Sequence, residues 1–343
     1  MRSLSVVTVF LALSLASSAC RTENGADDAT DGGPGIDSPP GVGCSMTSPR
    51  SAPPETFVGP TGLQARLTAL IDGAQDRLDI AMYLWTVKPL ADRVVAAKNR
   101  GVDVRVILDP DSPGNESVKP IFAAGGVTVR LAPTLYTYSH AKYMIIDGQA
   151  AVIMSMNFNV DAMNSERNYG MVDRDADDVA DVQSIFDQDW AMSAGEPPQP
   201  ADLACTRLVV SPTNSKSRIL EHINNAQSTL DLQIMYLSET GVRDAVIAAK
   251  GRGVAVRVIL GDDTDDAIPM LKAAGIPVKT STNNYYLHAK LIVADGVPFV
   301  GSENMSFTSL TKNREVGALV FEPAAATVVT NQFATDWNAG PSL

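Results

Sequence analysis

The chain has 343 residues, of which 45% are hydrophobic and 19% charged. This balance is typical of a soluble globular protein, and the length suffices for one large domain or two smaller ones. The formal net charge is −12 at pH 7. An acidic surface repels nucleic acid unless a local basic groove overrides the repulsion, so the charge argues against a nucleic-acid substrate.

The first residues predict an export signal. Arg2 supplies a short positive region, residues 6–15 form a mostly apolar run, and small residues at 17–19 stand in front of Cys20. This pattern is typical of a secretory signal peptide over residues 1–19, and the run is too short for a membrane span. We therefore expect an exported protein.

The segment after the signal contains two features with open alternatives. Cys20, directly after small residues, resembles a bacterial lipoprotein site, so the protein is expected in the cell envelope on a lipid anchor or secreted. Residues 20–57 are rich in Gly, Asp, Ser, Thr and Pro, which predicts a flexible low-complexity tether. If Cys20 is lipidated, Cys44 and Cys205 remain as a pair that can form a disulfide in an oxidising compartment.

The rest of the chain is a duplication with an offset near 150 residues. The run AAKNRGVDVRVIL at 96–108 matches AAKGRGVAVRVIL at 248–260, and each copy closes with Asp-Trp. The period is too long for a solenoid and indicates a duplicated domain. The copies are a first half over residues 58–195 and a second half over 205–343, joined by a Pro-rich linker over 196–204.

Helical and extended patterns alternate along each copy. Apolar spacing and β-branched runs predict, in chain order, a helix over 63–71, a strand over 78–84, a helix over 90–98, strands over 102–108 and 142–146, and closing helices over 175–189 and 324–336. Alternation of this kind implies parallel sheets buried on both faces. The predicted fold class is α/β, with two similar α-β-α sandwich halves.

A repeated motif, His-x-Lys-x4-Asp, organises the site. Its members are His140, Lys142 and Asp147 in the first half and His288, Lys290 and Asp295 in the second. Residues two apart on a strand share a face, so each histidine points the same way as its lysine. Each aspartate has the opposite parity and is predicted to hold the turn. The third histidine, His222, has no counterpart and is predicted to be structural.

Two such pairs meeting between the halves can cleave a phosphodiester. Lysines donate to phosphate oxygens as charge builds in the transition state. One neutral imidazole can attack phosphorus while the other, protonated, gives a proton to the leaving oxygen. The lysines supply the charge neutralisation that a metal would provide, and no Cys/His cluster suggests a metal site, so we expect no cofactor. One chain carries both motifs, so a monomer suffices for a complete site.

The motifs resemble those of the phospholipase D superfamily. The family motif continues with Gly-Ser-x-Asn, which residues 301–304 (GSEN) match fully and residues 154–157 (MSMN) match with Met in place of Gly. The resemblance covers roughly residues 60–340. It implies two halves packed together, with the active site at their interface.

The resemblance also implies roles for the site residues. His140 is the nucleophile that forms a phosphohistidine, and His288 is the general acid and later the base. The phosphate ligands are Lys142, Lys290, Asn157 and Asn304, supported by Ser155 and Ser302. Family members carry a downstream glutamate that orients a catalytic histidine, and the matching places are Asn164-Ser165-Glu166 and Asn313-Arg314-Glu315. We expect Glu315 near His140 and Glu166 near His288.

The leading interpretation is a phospholipase D-type phosphodiesterase that hydrolyses or transphosphatidylates phospholipids at a membrane surface. The alternatives are a metal-independent endonuclease of the same superfamily, a cardiolipin synthase-like phosphatidyltransferase and, least favoured, a catalytically inactive binding module. An endonuclease would need a basic groove, and Lys and Arg are not clustered beside the motifs. Tyr138 and Tyr286, two residues before each histidine, either line the site or support the core.

Overall fold

A computed structural model describes residues 49–203, 205–282 and 284–343, which belong to one compact unit. The predicted signal peptide, Cys20 and Cys44 lie outside the described residues. Within the described part of the chain, no helix is both long and apolar enough to cross a bilayer.

The first half is built on one mixed sheet with strand order β1-β7-β6-β5-β2-β3-β4. Its elements in chain order are β1 (Glu55–Gly59), α1 (Leu63–Gly73), β2 (Arg77–Met82), α2 (Lys88–Asn99), β3 (Asp103–Leu108), α3 (Lys119–Ala124), β4 (Thr128–Leu131), β5 (Lys142–Ile146), β6 (Ala150–Met154), α4 (Val160–Asn164), β7 (Glu166–Asp173) and α5 (Ala176–Met192).

The second half repeats this topology, with strand order β11-β10-β9-β13-β14-β15-β8. Its elements are β8 (Leu208–Ser211), α6 (Ser215–Asn224), β9 (Thr229–Ile234), α7 (Thr240–Gly251), β10 (Ala255–Leu260), α8 (Ile268–Ala273), β11 (Val278–Thr280), β12 (Tyr286–Leu287), β13 (Lys290–Ala294), β14 (Val297–Gly301), α9 (Phe307–Thr311), β15 (Glu315–Leu319) and α10 (Pro323–Ala339). The predicted α/β duplication is confirmed. One short strand breaks the pattern, because β12 pairs with β7 of the other half.

The expectation of parallel sheets is right for only part of each half. Strands β2, β3 and β4 run parallel, as do β9, β10 and β11, and the short β12–β7 pair is parallel too. The other ladders are antiparallel. The β5–β6 and β13–β14 ladders are antiparallel because an Asp-Gly turn follows each motif strand: Asp147 and Gly148 have φ of 56° and 61°, and Asp295 and Gly296 have 50° and 85°. This left-handed backbone returns the chain at once as a hairpin. The first hairpin carries one extra residue, Gln149.

The hydrophobic core has three parts. Helices α1, α2 and α3 cover the outer face of the first sheet, and α6, α7 and α8 cover the outer face of the second. The third cluster joins the inner faces of both sheets with helices α5 and α10, and it contains residues of both halves. Burial of this shared layer fixes the halves against each other, because separating them would expose apolar surface to water.

The predicted tether, residues 20–57, ends earlier than expected. Strand β1 begins within it, at Glu55, and pairs along its length with β7. Arg50 is buried, and its guanidinium contacts Asp173 at 2.7 Å, Asp178 at 2.6 Å and Glu322 at 3.0 Å. A single arginine bound by carboxylates of both halves anchors this segment, and composition alone did not reveal it.

The linker between the halves has no regular structure over its described residues, 196–203. Just beyond it, Cys205 is disulfide-bonded. The chain contains only two other cysteines, Cys20 and Cys44, and both lie outside the described residues. The pairing of Cys44 with Cys205 stays a prediction.

Candidate active site

Each half holds the histidine of the other half. The backbone N–H of His140 donates to the carbonyl of Arg314 at 2.9 Å, and the N–H of His288 donates to the carbonyl of Arg167 at 3.2 Å. Strand β12 continues the second contact, since Tyr286 pairs with Glu166. The segment leading into each motif therefore adds to the opposite sheet, and the two motifs come together at the interface between the halves.

Two buried ion pairs reinforce this crossing. Arg314 reaches Asp189 of the opposite half at 2.8 Å, and Arg167 reaches Asp336 of the opposite half at 2.8 Å. Each aspartate belongs to the Asp-Trp pair that closes a copy. The aspartate of each Asp-Trp pair thus binds an arginine of the opposite half, and the carbonyl of that arginine accepts from a motif histidine. The sequence pattern did not reveal this function.

His140 is held by Glu315. Its Nδ1 lies 3.0 Å and 2.9 Å from the two carboxylate oxygens, and Ser309 Oγ and Asn313 Nδ2 donate to Glu315 Oε1 at 2.6 Å and 3.0 Å. Burial opposes ionisation of Glu315, but His140 and Lys142 beside it hold the pKa of this carboxyl below its usual value. An ionised Glu315 fixes the proton of His140 on Nδ1 and leaves Nε2 for chemistry.

His288 has a different partner. Its Nδ1 lies 3.0 Å from Oδ1 of Asn168, whereas Glu166 Oε2 is 3.6 Å away. Asn168 is oriented by Ser155 Oγ, which donates to Oδ1 at 2.8 Å, and its own Nδ2 donates to Glu166 Oε2 at 3.1 Å. Glu166 is near His288, as expected, but an amide makes the direct contact.

The structure corrects the match between the two glutamates. The carbonyls of Arg167 and Arg314 receive the equivalent hydrogen bonds, so the residue after each arginine is equivalent: Asn168 in the first half and Glu315 in the second. The halves read Glu-Arg-Asn and Asn-Arg-Glu, with glutamate and asparagine exchanged. The prediction that Glu166 is the equivalent of Glu315 was therefore wrong by two positions, since Asn168 is the equivalent residue. Residues two apart on a strand share a face, so Glu166 still faces the site.

The two lysines lie beneath the histidines. Nζ of Lys290 donates to the carbonyl of His288 at 2.6 Å, and Nζ of Lys142 donates to the carbonyl of His140. Burial lowers the pKa of each lysine to about 7, against the opposing influence of Glu315. Both ammonium groups are thus poised to become fully charged when an anion enters.

Burial also keeps both imidazoles neutral. It lowers the pKa of His140, against the opposing charge of Glu315. The pKa of His288 falls well below its usual value, through burial and then the charges of Lys290, Lys142 and His140, although Glu166 Oε2 lies 3.6 Å away. An anionic ligand between the lysines would reverse this repulsion and favour the imidazolium form.

The asparagines and serines of the trailing motifs divide by role. The amide oxygens of Asn157 and Asn304 are buried without a hydrogen-bond partner among the described residues. Ser155 bonds Asn168, and Ser302 Oγ accepts from the N–H of Val316 at 3.1 Å. The serines therefore support the site. An amide oxygen only accepts, so a contact of either asparagine with a phosphate oxygen would have to come from its Nδ2 group.

The motif aspartates lie away from the imidazoles. The carboxylate of Asp147 accepts from the backbone N–H groups of residues 75–77 at 2.7 to 3.1 Å. Asp295 accepts from those of residues 227–229 at 2.7 to 2.8 Å. Each aspartate ties its hairpin to the start of the neighbouring strand, β2 or β9.

A buried carboxyl that the sequence did not single out lies close by. Glu303 is fully buried, and its Oε2 has no partner among the described residues. A Cβ at Gly301 would lie 2.5 Å from this oxygen, and one at Gly317 would lie 2.8 Å away. Glycine at 301 therefore makes room for Glu303. In the first half Met156 replaces Glu303, so Met154 can stand where the family motif has glycine.

Two further predicted features have a clear location. His222 lies on α6, its Nε2 is 3.1 Å from the carbonyl of Val297, and burial lowers its pKa to about 4. It belongs to the second half's outer core rather than to the site. Within residues 49–203, 205–282 and 284–343, no group of three or more His, Cys, Asp or Glu side chains could hold a metal ion.

Comparison with known proteins agrees with this geometry. The family model described as "Cardiolipin synthase, PLD-like domain" matches residues 67–190 and 219–337, one match in each half. The chain belongs to the phospholipase D superfamily. Both matches contain a complete His-x-Lys-x4-Asp motif.

Members of the superfamily resemble the chain over different lengths. Cardiolipin synthase of Listeria monocytogenes is 26% identical over 319 residues, covering 79% of this chain and 66% of the relative. The chain thus spans just under two thirds of that relative's length. Mitochondrial cardiolipin hydrolase of Danio rerio is 30% identical over 131 residues, covering 36% of this chain and 58% of the relative. The solved structure of phosphatidylserine synthase from Haemophilus influenzae has the same fold, with a TM-score of 0.66 at 13% identity, covering 86% of this chain and 88% of that one.

Proposed function

We propose that the protein is a phospholipase D-type enzyme that transfers a phosphatidyl group from one phospholipid to the hydroxyl of an acceptor, through a phosphohistidine. The observation that carries the proposal is the pair of buried His-Lys units, each histidine held at Nδ1 by the opposite half. We also propose that the protein is exported and acts as a monomer, because the N-terminal pattern and the two motifs in one chain favour this.

The first step forms the covalent intermediate. Nε2 of His140 attacks phosphorus while Glu315 holds the proton on Nδ1 and stabilises the developing positive charge of the ring. The phosphorus–oxygen bond to the leaving alcohol breaks, and His288 gives that oxygen a proton. Lys142 and Lys290 donate to the phosphate's non-bridging oxygens as their charge increases.

The second step releases the phosphatidyl group. His288, now neutral, removes the proton of an acceptor hydroxyl, whose oxygen attacks phosphorus as the bond to His140 breaks. With phosphatidylglycerol as donor and acceptor, two molecules give cardiolipin and glycerol. With water as acceptor, the same steps hydrolyse the donor to phosphatidic acid.

Substrate binding itself charges the site. Without an anion, burial keeps both imidazoles neutral and brings the pKa of each lysine to about 7. A phosphodiester brings a negative charge between the lysines and stabilises the imidazolium that His288 needs to act as an acid. The Nδ2 groups of Asn157 and Asn304 would then donate to the phosphate's oxygens.

The relatives favour transfer over hydrolysis. The cardiolipin synthase of Listeria monocytogenes matches across both halves, whereas the cardiolipin hydrolase of Danio rerio matches 36% of the chain. Both names point to a phospholipid, and the net charge of −12 disfavours nucleic acid. Hydrolysis is the second candidate, supported by the higher identity of the hydrolase over the shorter stretch.

The test is a product analysis without added metal. The full chain is incubated with phosphatidylglycerol vesicles in EDTA, and cardiolipin, glycerol and phosphatidic acid are measured. Transfer predicts cardiolipin and glycerol in equal amounts, lost with His140→Asn and kept with the remote control His222→Asn. Phosphatidic acid with glycerol would show hydrolysis instead. Cleavage of single-stranded DNA with no lipid product would overturn the proposal.

A further inference from the structure

The surface near His140 exposes large apolar side chains beside lysines. Leu135 is 62% exposed, Phe307 53% and Tyr138 40%. Nζ of Lys312 lies 5.2 Å from the centre of the Phe307 ring, and Nζ of Lys216 lies 5.8 Å from it. We call Leu135, Tyr138, Phe307 and Lys312 the apolar rim.

Hydrogen bonds show that the two segments carrying the rim residues run side by side. The backbone N–H of Thr137 donates to the carbonyl of Lys312 at 3.0 Å, and the carbonyl of Tyr138 accepts from the N–H of Arg314 at 2.9 Å. The segment that carries Leu135 and Tyr138 thus runs beside the one that carries Lys312, whose side chain reaches Phe307. Members from both halves therefore lie side by side.

The rim adjoins the nucleophile. Tyr138 is two residues before His140, and the ring of Tyr83 lies between them, 6.1 Å from the Tyr138 ring and 4.6 Å from the imidazole. On the other side, Phe307 begins helix α9, whose Ser309 donates to Glu315. A partner that covers the rim therefore lies next to His140 and its Glu315.

We propose that the apolar rim docks onto the phosphate-bearing surface of a phospholipid bilayer and so delivers lipid to His140. The inference rests on the proposed function and names the surface from which its substrate comes. Aromatic and aliphatic side chains next to a lysine suit the bilayer interface, where the rings enter the headgroup level and the ammonium pairs with phosphate. Lys216 is paired with Glu239 at 3.1 Å, but Lys312 makes no salt bridge with any residue in the described ranges, so the charge of Lys312 is available.

The equivalent surface of the other half lacks this chemistry. Val160 and Tyr286 are exposed there, by 59% and 52%, but Asp161 follows Val160 and Ser165 stands in the place of Lys312. An acidic group repels lipid phosphate. Docking is therefore one-sided, through the rim beside His140.

Single-stranded nucleic acid is the competing partner, because rings and lysines also bind stacked bases. The rim's most exposed apolar member, Leu135, has no ring on which a base can stack, whereas an aliphatic side chain can enter a bilayer. This observation favours the bilayer.

The first test measures insertion and needs no turnover. In the full chain carrying His140→Asn, Phe307→Trp is compared with Val328→Trp, which alters an exposed residue on α10 outside the rim. Vesicles of phosphatidylglycerol and phosphatidylcholine with brominated acyl chains are added, and tryptophan quenching is measured against the chain without either change. Quenching at 307 but not at 328 is expected. Equal or absent quenching at both positions, or a response of Phe307→Trp to single-stranded DNA instead, would overturn the docking proposal.

The second test separates docking from chemistry. The double variant Leu135→Ser, Phe307→Ser is expected to lower turnover of phosphatidylglycerol in vesicles at least about tenfold, because two interfacial anchors are lost. Its turnover of a monomeric short-chain phosphatidylglycerol should equal that of the unchanged protein. Met270→Ser, an exposed residue on α8, is the matched control.

An equal fall on both substrates would place the rim in the chemistry and overturn docking. If the unchanged protein turns over neither substrate, the proposed function fails, and the quenching result still decides whether the rim binds a bilayer.

Discussion

Asn168 and Glu315 stand at equivalent positions of the two halves, and each accepts the Nδ1 proton of the motif histidine from the opposite half. An amide holds the ring without a charge, whereas a carboxylate also stabilises the imidazolium. Because one histidine has an amide partner and the other a carboxylate, the two differ in basicity. This difference suits His140, beside Glu315, to attack and His288, beside Asn168, to release a proton.

The first prediction concerns this exchange. Asn168→Asp places a negative charge beside His288 and should raise the pKa of that imidazole, because the charge favours the protonated form. The alkaline limit of activity, set by the acid His288, should move to higher pH. NMR titration resolves the chain's three histidines, and His222 is the internal control. An unchanged titration of His288 would contradict the assignment of Asn168 as its partner.

The second prediction assigns the nucleophile. With a p-nitrophenyl phosphodiester, whose leaving group needs no proton, His288→Asn should form the intermediate normally but break it down about 10²- to 10⁴-fold more slowly. Stopped-flow absorbance should show a burst of nitrophenolate equal to the enzyme concentration. His140→Asn should show none. A burst with His140→Asn instead would reverse the two roles.

The third prediction concerns Glu303. Burial, and then the nearby charge of Glu315, raises its pKa well above the usual value. Between the pKa of Glu303 in the unfolded chain and its higher pKa in the folded chain, only the folded chain keeps the proton on Glu303. The free energy of unfolding therefore falls as pH rises through this range. The loss is about 1.4 kcal/mol for each pH unit between the two pKa values.

Glu303→Gln removes this loss, so the variant should be more stable than the unchanged protein at pH 8 and similar to it at pH 4. Denaturant unfolding at both values checks this. Glu116→Gln, an exposed surface change, should have no such pH dependence. Lower stability of Glu303→Gln at pH 8 would show that Glu303 is ionised in the fold.

The fourth prediction tests the crossing ion pairs. Asp189→Asn leaves Arg314 buried without its carboxylate and should destabilise the protein by about 3 to 5 kcal/mol, with loss of activity. Asp187→Asn, an exposed change on the same helix, should cost about 1 kcal/mol or less. Urea unfolding provides the comparison. Similar effects of the two variants would exclude a special function of the buried pair.

The fifth prediction separates the motif aspartates from the chemistry. Asp147→Ala removes the acceptor of several backbone N–H groups and should cost about 1 to 3 kcal/mol of stability, with kcat within roughly twofold of normal. Burial opposes these bonds, yet they hold the pKa of Asp147 below its usual value, so the stabilisation is lost as pH falls. Asp295→Ala should behave alike. A large fall in kcat of the folded variant would return Asp147 to the catalytic group.

Repetition made much of the fold and site predictable. The duplicated motifs located His140 and His288, and strand parity placed each lysine with its histidine. The direct partner of His288 was missed because residue type suggested Glu166. The register of strand β7 places Asn168 in contact with His288 instead, and the sequence does not reveal that register. Arg50 was missed because its stabilisation comes from distant carboxylates, which local composition does not record.

The exchange of Glu-Arg-Asn for Asn-Arg-Glu also bears on why both copies sit in one chain. Two identical subunits would give both histidines the same neighbour, since symmetry repeats every substitution on each side. Joining the copies removes that constraint, so one position can be amide while its twin is carboxylate. The two halves of a fused chain can thus differ at equivalent positions. Asn168 is such a position, and it contacts one of the two motif histidines.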